Sequence, residues 1–486
     1  MRELKWKNQK RGCQYNNPKF TLKSQDMKRV ILSTVLICLI LSTVQAQKQS
    51  NVDFQTVPVV GAVSHRSVAL FLELNKCTEA ELVLLCTPDS GSEVRVSIPA
   101  SSIPSGLTAE GCRLRQVVVE GLEPGIRYQG RVYQGKRALG DSVFYFTTRA
   151  LWEWRTPAPD VTFIAGSCLY MNETRFDRPG PPYGKDSKIL RHMQAVPADF
   201  NLWLGDNVYL REVDYSSPSG MLQRYLHTRS HPDVQALLSA RPNYAIWDDH
   251  DFGPNNADRS FSFKSTSLAL FSAFWPAFRY GSVEVDGAFS HFSYSDADFF
   301  LMDNRYHRAP NAWDKADTSK AYWGPAQLAW LKDKLLNSRA TFKFIVNGNQ
   351  IVNTMTDTEC LHAYPAERDA LYDFIRQYKI GGVLILSGDR HFTEVLKDDN
   401  ATTYPLYDIT CSPLTSGAYE KITETSEAQN PMRVEGTLLA TQNFLKVHIV
   451  GERKHRIAKI EAIDQENKVR WSLQIAEDEL KPVQMK

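Results

Sequence analysis

The pattern of apolar and polar positions divides the chain into two textures. Between residues 52 and 150, short alternating runs occur at Thr56–Val63, Val68–Leu74, Ala80–Cys86, Glu93–Ile98, Gln116–Val119, Arg127–Gln134 and Val143–Thr148, separated by turn-forming residues. Seven period-two runs broken by turns predict a β-sandwich. A link at Leu151–Asp160 holds two tryptophans and two prolines. Beyond it, unbroken apolar runs alternate with helical patterns at Ser187–Ala195, Val234–Ser239, Phe263–Phe278, Ala326–Leu336 and Ala366–Tyr378. Strands covered on both faces read as unbroken apolar runs. Residues 160–480 are therefore predicted to form an α/β layered domain of β-sheets flanked by helices, with Phe444–Val450, Ala458–Ile463 and Arg470–Gln474 completing its core.

One segment fits neither texture. Lys28-Arg29, the apolar run Val30–Leu41 and the small-residue end at Ala46 describe a secretory signal peptide over 27–46, cleaved after Ala46. Residues 1–26 are basic and aperiodic, a leader or an over-extended start that takes no part in the fold. Cys38 follows Ile37 rather than a small residue, which argues against a lipid anchor. The expectation is an exported protein, periplasmic or secreted, with no stable membrane span after processing. An oxidising compartment permits a disulfide, and Cys77, Cys86 and Cys112 are close enough in sequence for one pair among them. The net charge of +2 is spread along the chain without a basic face, so nucleic acid is not expected as a partner.

The chemistry is concentrated where the apolar runs of the second region stop. Val161–Ala165 leads into Gly166-Ser167-Cys168, and Phe200–Leu204 into Gly205-Asp206-Asn207-Val208-Tyr209. Tyr244–Trp247 leads into Asp248-Asp249-His250-Asp251, with Asn255-Asn256 after it. Phe299–Met302 leads into Asp303-Asn304-Arg305, Phe342–Val346 into Asn347-Gly348-Asn349-Gln350, and Val383–Leu386 into Ser387-Gly388-Asp389-Arg390-His391. The carboxyl ends of neighbouring strands in an α/β fold form its ligand crevice, so six polar clusters would meet there. Alone, each has a bland reading: a buried cysteine is a small hydrophobe, and Asp-Asp-His or Gly-Asp is a cap or turn. Together they place Asp, His, Asn, Tyr and Cys at one point, which a compact domain tolerates only when cations balance them.

The order Gly-Ser-Cys, Gly-Asp-x-x-Tyr, Trp-Asp-Asp-His-Asp, Asp-x-Arg and Gly-Asp-x-His resembles the PhoD-type alkaline phosphatases, relatives of purple acid phosphatases and calcineurin-like metallophosphoesterases. Gly205–Tyr209 and Trp247–Asp251 are its most specific pieces. The likeness extends over both regions, because that family carries a fibronectin-like N-terminal module, and Val118–Tyr128 resembles the tyrosine-corner region of fibronectin type III domains. The resemblance implies that Cys168, Asp206, Tyr209 and His391 hold one metal, Fe3+ in the family, and that Asp206 bridges to a second. It implies that Asp249 and Asp389 complete the second site, with Asn256 or Asn349 as a further ligand, and that His250 faces the phosphate. The cluster Asn347–Gln350 stands where many calcineurin-like enzymes have a histidine, which would make the second site richer in oxygen.

Donor chemistry agrees with that division. Thiolate and phenolate suit a strongly Lewis-acidic ion such as ferric iron, while carboxylate and amide oxygens suit Ca2+, Mg2+ or Mn2+, with Zn2+ the rival. In this reading Arg305 braces the phosphoryl oxygens, His250 protonates the leaving oxygen and Asn207 donates to a phosphate oxygen. The competing reading of Arg305 is an ion pair with Asp303 or Asp298. The expected function is hydrolysis of small phosphate monoesters or diesters by a metal-activated hydroxide, with phytase-like or phospholipase-like specificity as variants. A reading of another class is a non-catalytic surface-binding protein whose sandwich binds and whose metals are structural. His250 and Arg305 are more polar groups than closed ligation needs, which favours catalysis.

Overall fold

The computed structural model describes residues 56–74, 79–87, 93–99, 114–139 and 143–483. The leader at 1–26, the signal segment at 27–46, and Cys77 and Cys112 of the expected disulfide lie outside the described residues.

The alternating runs form eight strands: β1 Val59–Val63, β2 Val68–Glu73, β3 Ala80–Thr87, β4 Glu93–Ile98, β5 Leu114–Val119, β6 Arg127–Gln134, β7 Arg137–Ala138 and β8 Phe144–Thr147. β1, β2 and β5 make one antiparallel sheet; β4, β3, β6 and β7 make another, with β8 also on β6. Alternation sets which side faces in: β6 buries Tyr128, Gly130 and Val132 and exposes Arg127 and Arg131. Leu70, Leu72, Leu82, Leu84, Tyr128 and Phe146 fill the space between the sheets. The Tyr128 hydroxyl accepts a hydrogen bond from the Glu123 N–H at 3.0 Å, the bond by which a tyrosine corner pins a strand to the loop before it.

The unbroken runs build two six-stranded sheets. The chain passes through β9 Val161–Gly166, β10 Phe200–Leu204, β11 Asn243–Ile246, β12 Ser290–Tyr294, β13 Ala297–Leu301 and β14 Phe342–Asn347. It continues through β15 Val383–Ser387, β16 Glu394–Asp398, β17 Leu406–Thr410, β18 Asn443–Val450, β19 Ile457–Asp464 and β20 Val469–Ala476. The first sheet has the order β11-β10-β9-β18-β19-β20 and the second β12-β13-β14-β15-β17-β16. Strands β9 to β11 are mutually parallel, as are β13, β14, β15 and β17. The predicted C-terminal strands enter the first sheet through β18, which pairs antiparallel with β9.

Both faces of these sheets are covered. Inward, Phe163 meets Phe299 edge-on at 5.3 Å and Phe200 meets Phe299 at 5.4 Å. On its other face the first sheet turns Ile164 and Trp203 towards Leu190, Met193, Met221 and Leu237. These belong to the helices α1 Lys188–Ala195, α2 Pro218–Ser230 and α3 Pro232–Ala240. Further helices are α4 Asp249–Phe252, α5 Lys264–Phe274, α6 Pro325–Asn337 and α7 Pro365–Gln377. Burying each such side chain contributes about 1.5–3 kcal/mol. α2 is absent from the sequence expectation: its Arg224 and Arg229 are buried beside Met221 and Leu222, which blurs the apolar stripe. The helix expected to reach Phe278 ends at Phe274, because Pro276 cannot donate to the ladder and forces Trp275 out of helical geometry. Among the described residues no helix is long and apolar enough to cross a membrane.

The sandwich meets the first sheet along β1. The Ala62 N–H donates to the Pro276 carbonyl at 3.0 Å, and the Tyr244 hydroxyl accepts from the Val63 N–H and from Arg149 Nη2 at 3.2 and 3.1 Å. Gly61 lies so close that a Cβ there would run into the Pro276 carbonyl oxygen. Gly61→Ala should therefore cost about 1–3 kcal/mol by overpacking, read as a lower midpoint in thermal and urea unfolding. An unchanged midpoint would show that this junction yields freely.

Candidate metal centre

Parallel strands within each sheet deliver their carboxyl ends to one side, and glycines let the two sheets close there. Gly205 has φ +95°, and a side chain on it would press on Asp248 Cβ at 2.8 Å. Gly388 lies against the Leu204 carbonyl and Ser167, and its N–H donates to the Gly348 carbonyl at 2.9 Å. Five of the expected site residues hold left-handed backbone: Cys168 at φ 63°, Asp206 at 53°, Asn256 at 59°, Asp389 at 67° and His391 at 56°. Such geometry in non-glycine residues costs of order 1–3 kcal/mol each and persists only where the surroundings enforce it.

Two groups of potential metal ligands result, and Asp206 belongs to both. Cys168, Asp206 and His391 offer ligand atoms within 4.8 Å of one another, as do Asp206, Asp249 and His250. Tyr209 closes the first group: its hydroxyl donates to Asp206 Oδ2 at 3.0 Å and lies 3.2 Å from His391 Nε2. The Cys168 thiol stands 3.6 Å from Asp206 Oδ2 and accepts from the Ser412 hydroxyl at 3.0 Å. His391 Nδ1 faces the Gly417 carbonyl at 2.7 Å. That carbonyl can only accept, so Nδ1 carries the proton and Nε2 turns a bare lone pair to the group.

The second group is braced by backbone. Asp249 Oδ1 accepts from the His250 N–H at 3.0 Å and Oδ2 from the Asn256 N–H at 2.6 Å. Asp206 Oδ1 accepts from the His250 N–H at 3.3 Å. Asp251, at the start of the motif's short helix, ties the two strand ends together: Oδ1 accepts from the Asn207 and Val208 N–H groups at 3.0 and 3.2 Å, and Oδ2 from the Asp248 N–H at 3.0 Å. The His250 ring stacks on Tyr209 at 4.2 Å, with Nδ1 buried and lacking a partner among the described residues. The Asn256 side chain is exposed beside Asp249. Asp389 follows β15 outside both close groups, yet it feels Asp248, Glu359 and Asp249 electrostatically.

Three expected roles change. Arg305 is fully buried, 0 % exposed, with its guanidinium committed: Nε donates to Asp248 Oδ1 at 2.5 Å, Nη1 to the Ala257 carbonyl at 3.2 Å and Nη2 to Glu359. These bonds turn its guanidinium into the protein rather than to a phosphate, and its ion-pair partners are Asp248, Glu359 and, at 3.9 Å, Asp249 rather than Asp303 or Asp298. Asn349 is equally consumed. Its Nδ2 donates to Asp248 Oδ2 at 2.9 Å, and its Oδ1 accepts from Arg308, Asn304 and Tyr322 at 2.6, 3.0 and 3.0 Å. Asn207 Nδ2 donates to the Ile246 carbonyl at 2.8 Å, and its Oδ1 is buried with no partner among the described residues. The amide therefore offers an acceptor besides the donor that was expected. Asp248, Asp251, Glu359, Arg308 and Ser412 support the site and are absent from the sequence assignment. Only the first two were visible, as neighbours within Trp-Asp-Asp-His-Asp.

The electrostatics describe a site built for cations. Burial, then the charges of Asp249 and Cys168, push the Asp206 carboxyl well above its ordinary range. Burial pushes the Cys168 thiol up to about 12 and raises the Tyr209 phenol. Burial presses on Asp249 too, but His250 and Arg305 hold it below its usual value. Burial, together with nearby Asp248 and Glu359, lifts Asp389 to about 8. Burial also lowers His250 and His391, keeping their rings in the neutral form that ligates metal. Thiolate, phenolate and carboxylate bind a cation deprotonated, so a metal would stabilise the forms that burial alone disfavours. The orphaned His250 Nδ1 and Asn207 Oδ1 point to the same requirement.

The model of the PhoD-like phosphatase family matches residues 180–458. A curated relative, alkaline phosphatase D of Bacillus subtilis (strain 168), is 21% identical over 321 residues, which is 57% of this chain and 52% of that protein. The chain thus spans about half the length of the curated relative it matches. A solved structure of PhoD superposes with a TM-score of 0.67 at 18% identity, over 88% of this chain and 90% of that one. The purple acid phosphatase PPD1 from yellow lupin (Lupinus luteus) seeds gives 0.58 at 10% identity, over 87% of this chain and 74% of that one. At these identities the two structures speak for the fold alone.

Arg305→Met should lower stability by about 3–5 kcal/mol, since it leaves Asp248 buried without its cation and Glu359 with Arg308 alone. Urea denaturation measures this. A variant of native stability with only a raised KM would return Arg305 to the phosphate.

Proposed function

Because the chain belongs to the PhoD-like phosphatase family, we propose that it is an exported, metal-dependent phosphoesterase that hydrolyses small phosphate monoesters, diesters or both. The observation that carries this reading is the sharing of Asp206 between two groups of ligand atoms, the arrangement that two neighbouring cations require. Cys168, Asp206, Tyr209 and His391 would hold ferric iron, and Asp206, Asp249, Asp389 and the exposed amide of Asn256 a second, harder ion such as Ca2+, Mg2+ or Mn2+. When bound, such a pair supplies an acidified water and Lewis-acid stabilisation of the phosphoryl oxygens.

The protein's own groups do the rest. Asp206 balances charge on both sides at once. His250, stacked on Tyr209 with Nδ1 unpartnered among the described residues, is placed to protonate the leaving oxygen from its imidazolium form, which burial makes the stronger acid by lowering its pKa. Asn207 Oδ1 offers an acceptor that can orient a water. Arg305 and Asn349 act one layer down, holding Asp248. The sandwich is read as a fibronectin type III-like structural module, supported by the Tyr128 corner. Export rests on the signal pattern at 27–46, whose removal should leave the catalytic region intact.

Asp206→Asn and Asp249→Asn should each reduce phosphate release from an aryl phosphate by roughly a thousandfold or more, in the range seen when a charge-stabilising group is removed from an active site. Circular dichroism should stay native. Near-native turnover in either variant would remove that residue from the centre, and a wild-type protein with its native metals that hydrolyses neither an aryl monoester nor a diester would favour the non-catalytic reading.

The identity of the first metal has its own test. Thiol and phenol, with ordinary pKa values of about 8.5 and 10, yield their protons only to a strongly polarising ion. Phenolate or thiolate on ferric iron absorbs visible light, so protein purified with its native metals should be coloured. Tyr209→Phe should shift or abolish the band, and Cys168→Ser should weaken iron retention in elemental analysis. A colourless, fully active protein containing only zinc would refute the ferric assignment.

A further inference from the structure

Two residues expected to serve the phosphate, Arg305 and Asn207, are turned to the protein. A phosphate ester would bring anionic oxygens up to the ligand groups of Asp206, Asp249, Cys168 and Tyr209, and such oxygens need hydrogen-bond donors as well as metal. Arg305 is fully buried with its guanidinium turned to Asp248, Ala257 and Glu359, and Asn207 Nδ2 is turned to the Ile246 carbonyl. Another donor should face the mouth of the site.

Tyr183 meets that description. Its ring is 43 % exposed, stands edge-on to Tyr170 at 4.9 Å and to Tyr209 at 6.3 Å, and lies 6.0 Å from the His391 ring. The backbone that follows it is clasped. The Gly184 N–H donates to Asn172 Oδ1 at 3.0 Å while Asn172 Nδ2 donates to the Gly184 carbonyl at 2.8 Å. The Lys185 N–H donates to the Thr415 carbonyl at 2.6 Å. Gly417 packs flat against the ring, where a Cβ would stand 3.3 Å from Tyr183 Cε2. A large side chain kept half exposed and this firmly placed is poised for contact with a ligand.

Proton counting gives its hydroxyl a direction. His391 Nε2 faces Tyr209 and the ligand group, so the ring's proton is on Nδ1. That single N–H lies 2.7 Å from the Gly417 carbonyl and 3.0 Å from the Tyr183 oxygen. Both can accept from it, and neither can donate to it. The Tyr183 oxygen is thus an acceptor from His391, and its own proton must go elsewhere. The Ser416 hydroxyl also faces the Tyr183 oxygen, in the sense that favours the phenolate, and so meets it as a donor. A phenol hydrogen lies near the ring plane in either of two orientations, and takes the one that offers an acceptor.

We propose that Tyr183 is a substrate-binding residue whose hydroxyl, fixed by His391 Nδ1–H, donates a hydrogen bond to a non-bridging phosphoryl oxygen of the ester. The assignment rests on the phosphoesterase reading of the same site and adds the donor that reading lacks. The bond would join a metal-ligating imidazole, a phenol and the substrate in one chain. Phosphate binding and the environment of the first metal should therefore report on each other.

The test is Tyr183→Phe, which keeps the ring and its packing and removes the hydroxyl alone. Protein carrying its native metals is titrated with inorganic phosphate, following the visible band where it is present and competition against an aryl phosphate in parallel. Metal content is measured on the same samples. The expected result is a full metal complement, with a phosphate Kd and an aryl phosphate KM each raised about tenfold, the worth of one hydrogen bond to a charged group. Phosphate affinity equal to wild type would overturn the proposal. So would loss of metal without loss of phosphate affinity per loaded site, which would make Tyr183 only a support for His391. If the wild type bound phosphate but released none from any ester, the phosphoesterase reading would fail while the Tyr183 titration still gave its own answer.

Discussion

More carboxylates converge on the strand ends than the neighbouring arginines can neutralise, and the rest of the structure is arranged around that excess. Asp206, Asp248, Asp249 and Glu359 are all buried, and Arg305 and Arg308 are the guanidiniums among them. An isolated buried carboxylate is too costly to persist without a partner. The protein divides the problem by depth. In the lower layer Arg305 and Arg308 satisfy Asp248 and Glu359, a role that suits a planar, weakly hydrated fork with several donors. In the upper layer Asp206 has only N–H, O–H and S–H neighbours, none of them a full positive charge. The lower layer is closed and rigid, and the upper one calls for cations.

Rigidity below is what makes the geometry above possible. Cys168, Asp206, Asp389 and His391 each occupy left-handed backbone immediately after a strand. The strands hold them there: β9, β10 and β15 are hydrogen-bonded on both sides by neighbours in their sheets, and Asp251 knots the β10 and β11 ends together through three backbone N–H groups. Strain of this kind is offset by the packing of phenylalanines between the sheets, far from where the chemistry would occur.

Much of this was legible in the sequence because buried parallel strands leave a simple trace. An apolar run that stops at Gly-Asp or Trp-Asp-Asp marks both a strand and the place where it opens into a crevice, which is why Cys168, Asp206, Tyr209, Asp249, His250 and His391 could be gathered before any coordinates. Direction was not legible. Arg305, Asn349 and Asn207 sit in the right clusters, but whether a side chain turns up to the ligand or down into the core depends on partners such as Glu359, 54 residues from Arg305 and inside a loop without a pattern of its own. Tyr183 was hidden for the same reason. Its loop has no periodicity, and its meaning comes from a histidine 208 residues away. Helix α2 escaped because buried arginines interrupt the apolar stripe on which such readings depend.

The pairing of β18 with β9 sets a schedule for biosynthesis. Ala165, beside the loop that carries Cys168, has Leu445 as its neighbour on that edge. A ribosome adding about 5–20 residues per second needs on the order of 15–60 s to travel from one to the other. Until then β9 lacks its neighbour on that edge, beside the stretch that carries Cys168. Pairing of that edge with another chain is the hazard to be managed while this polypeptide is being made.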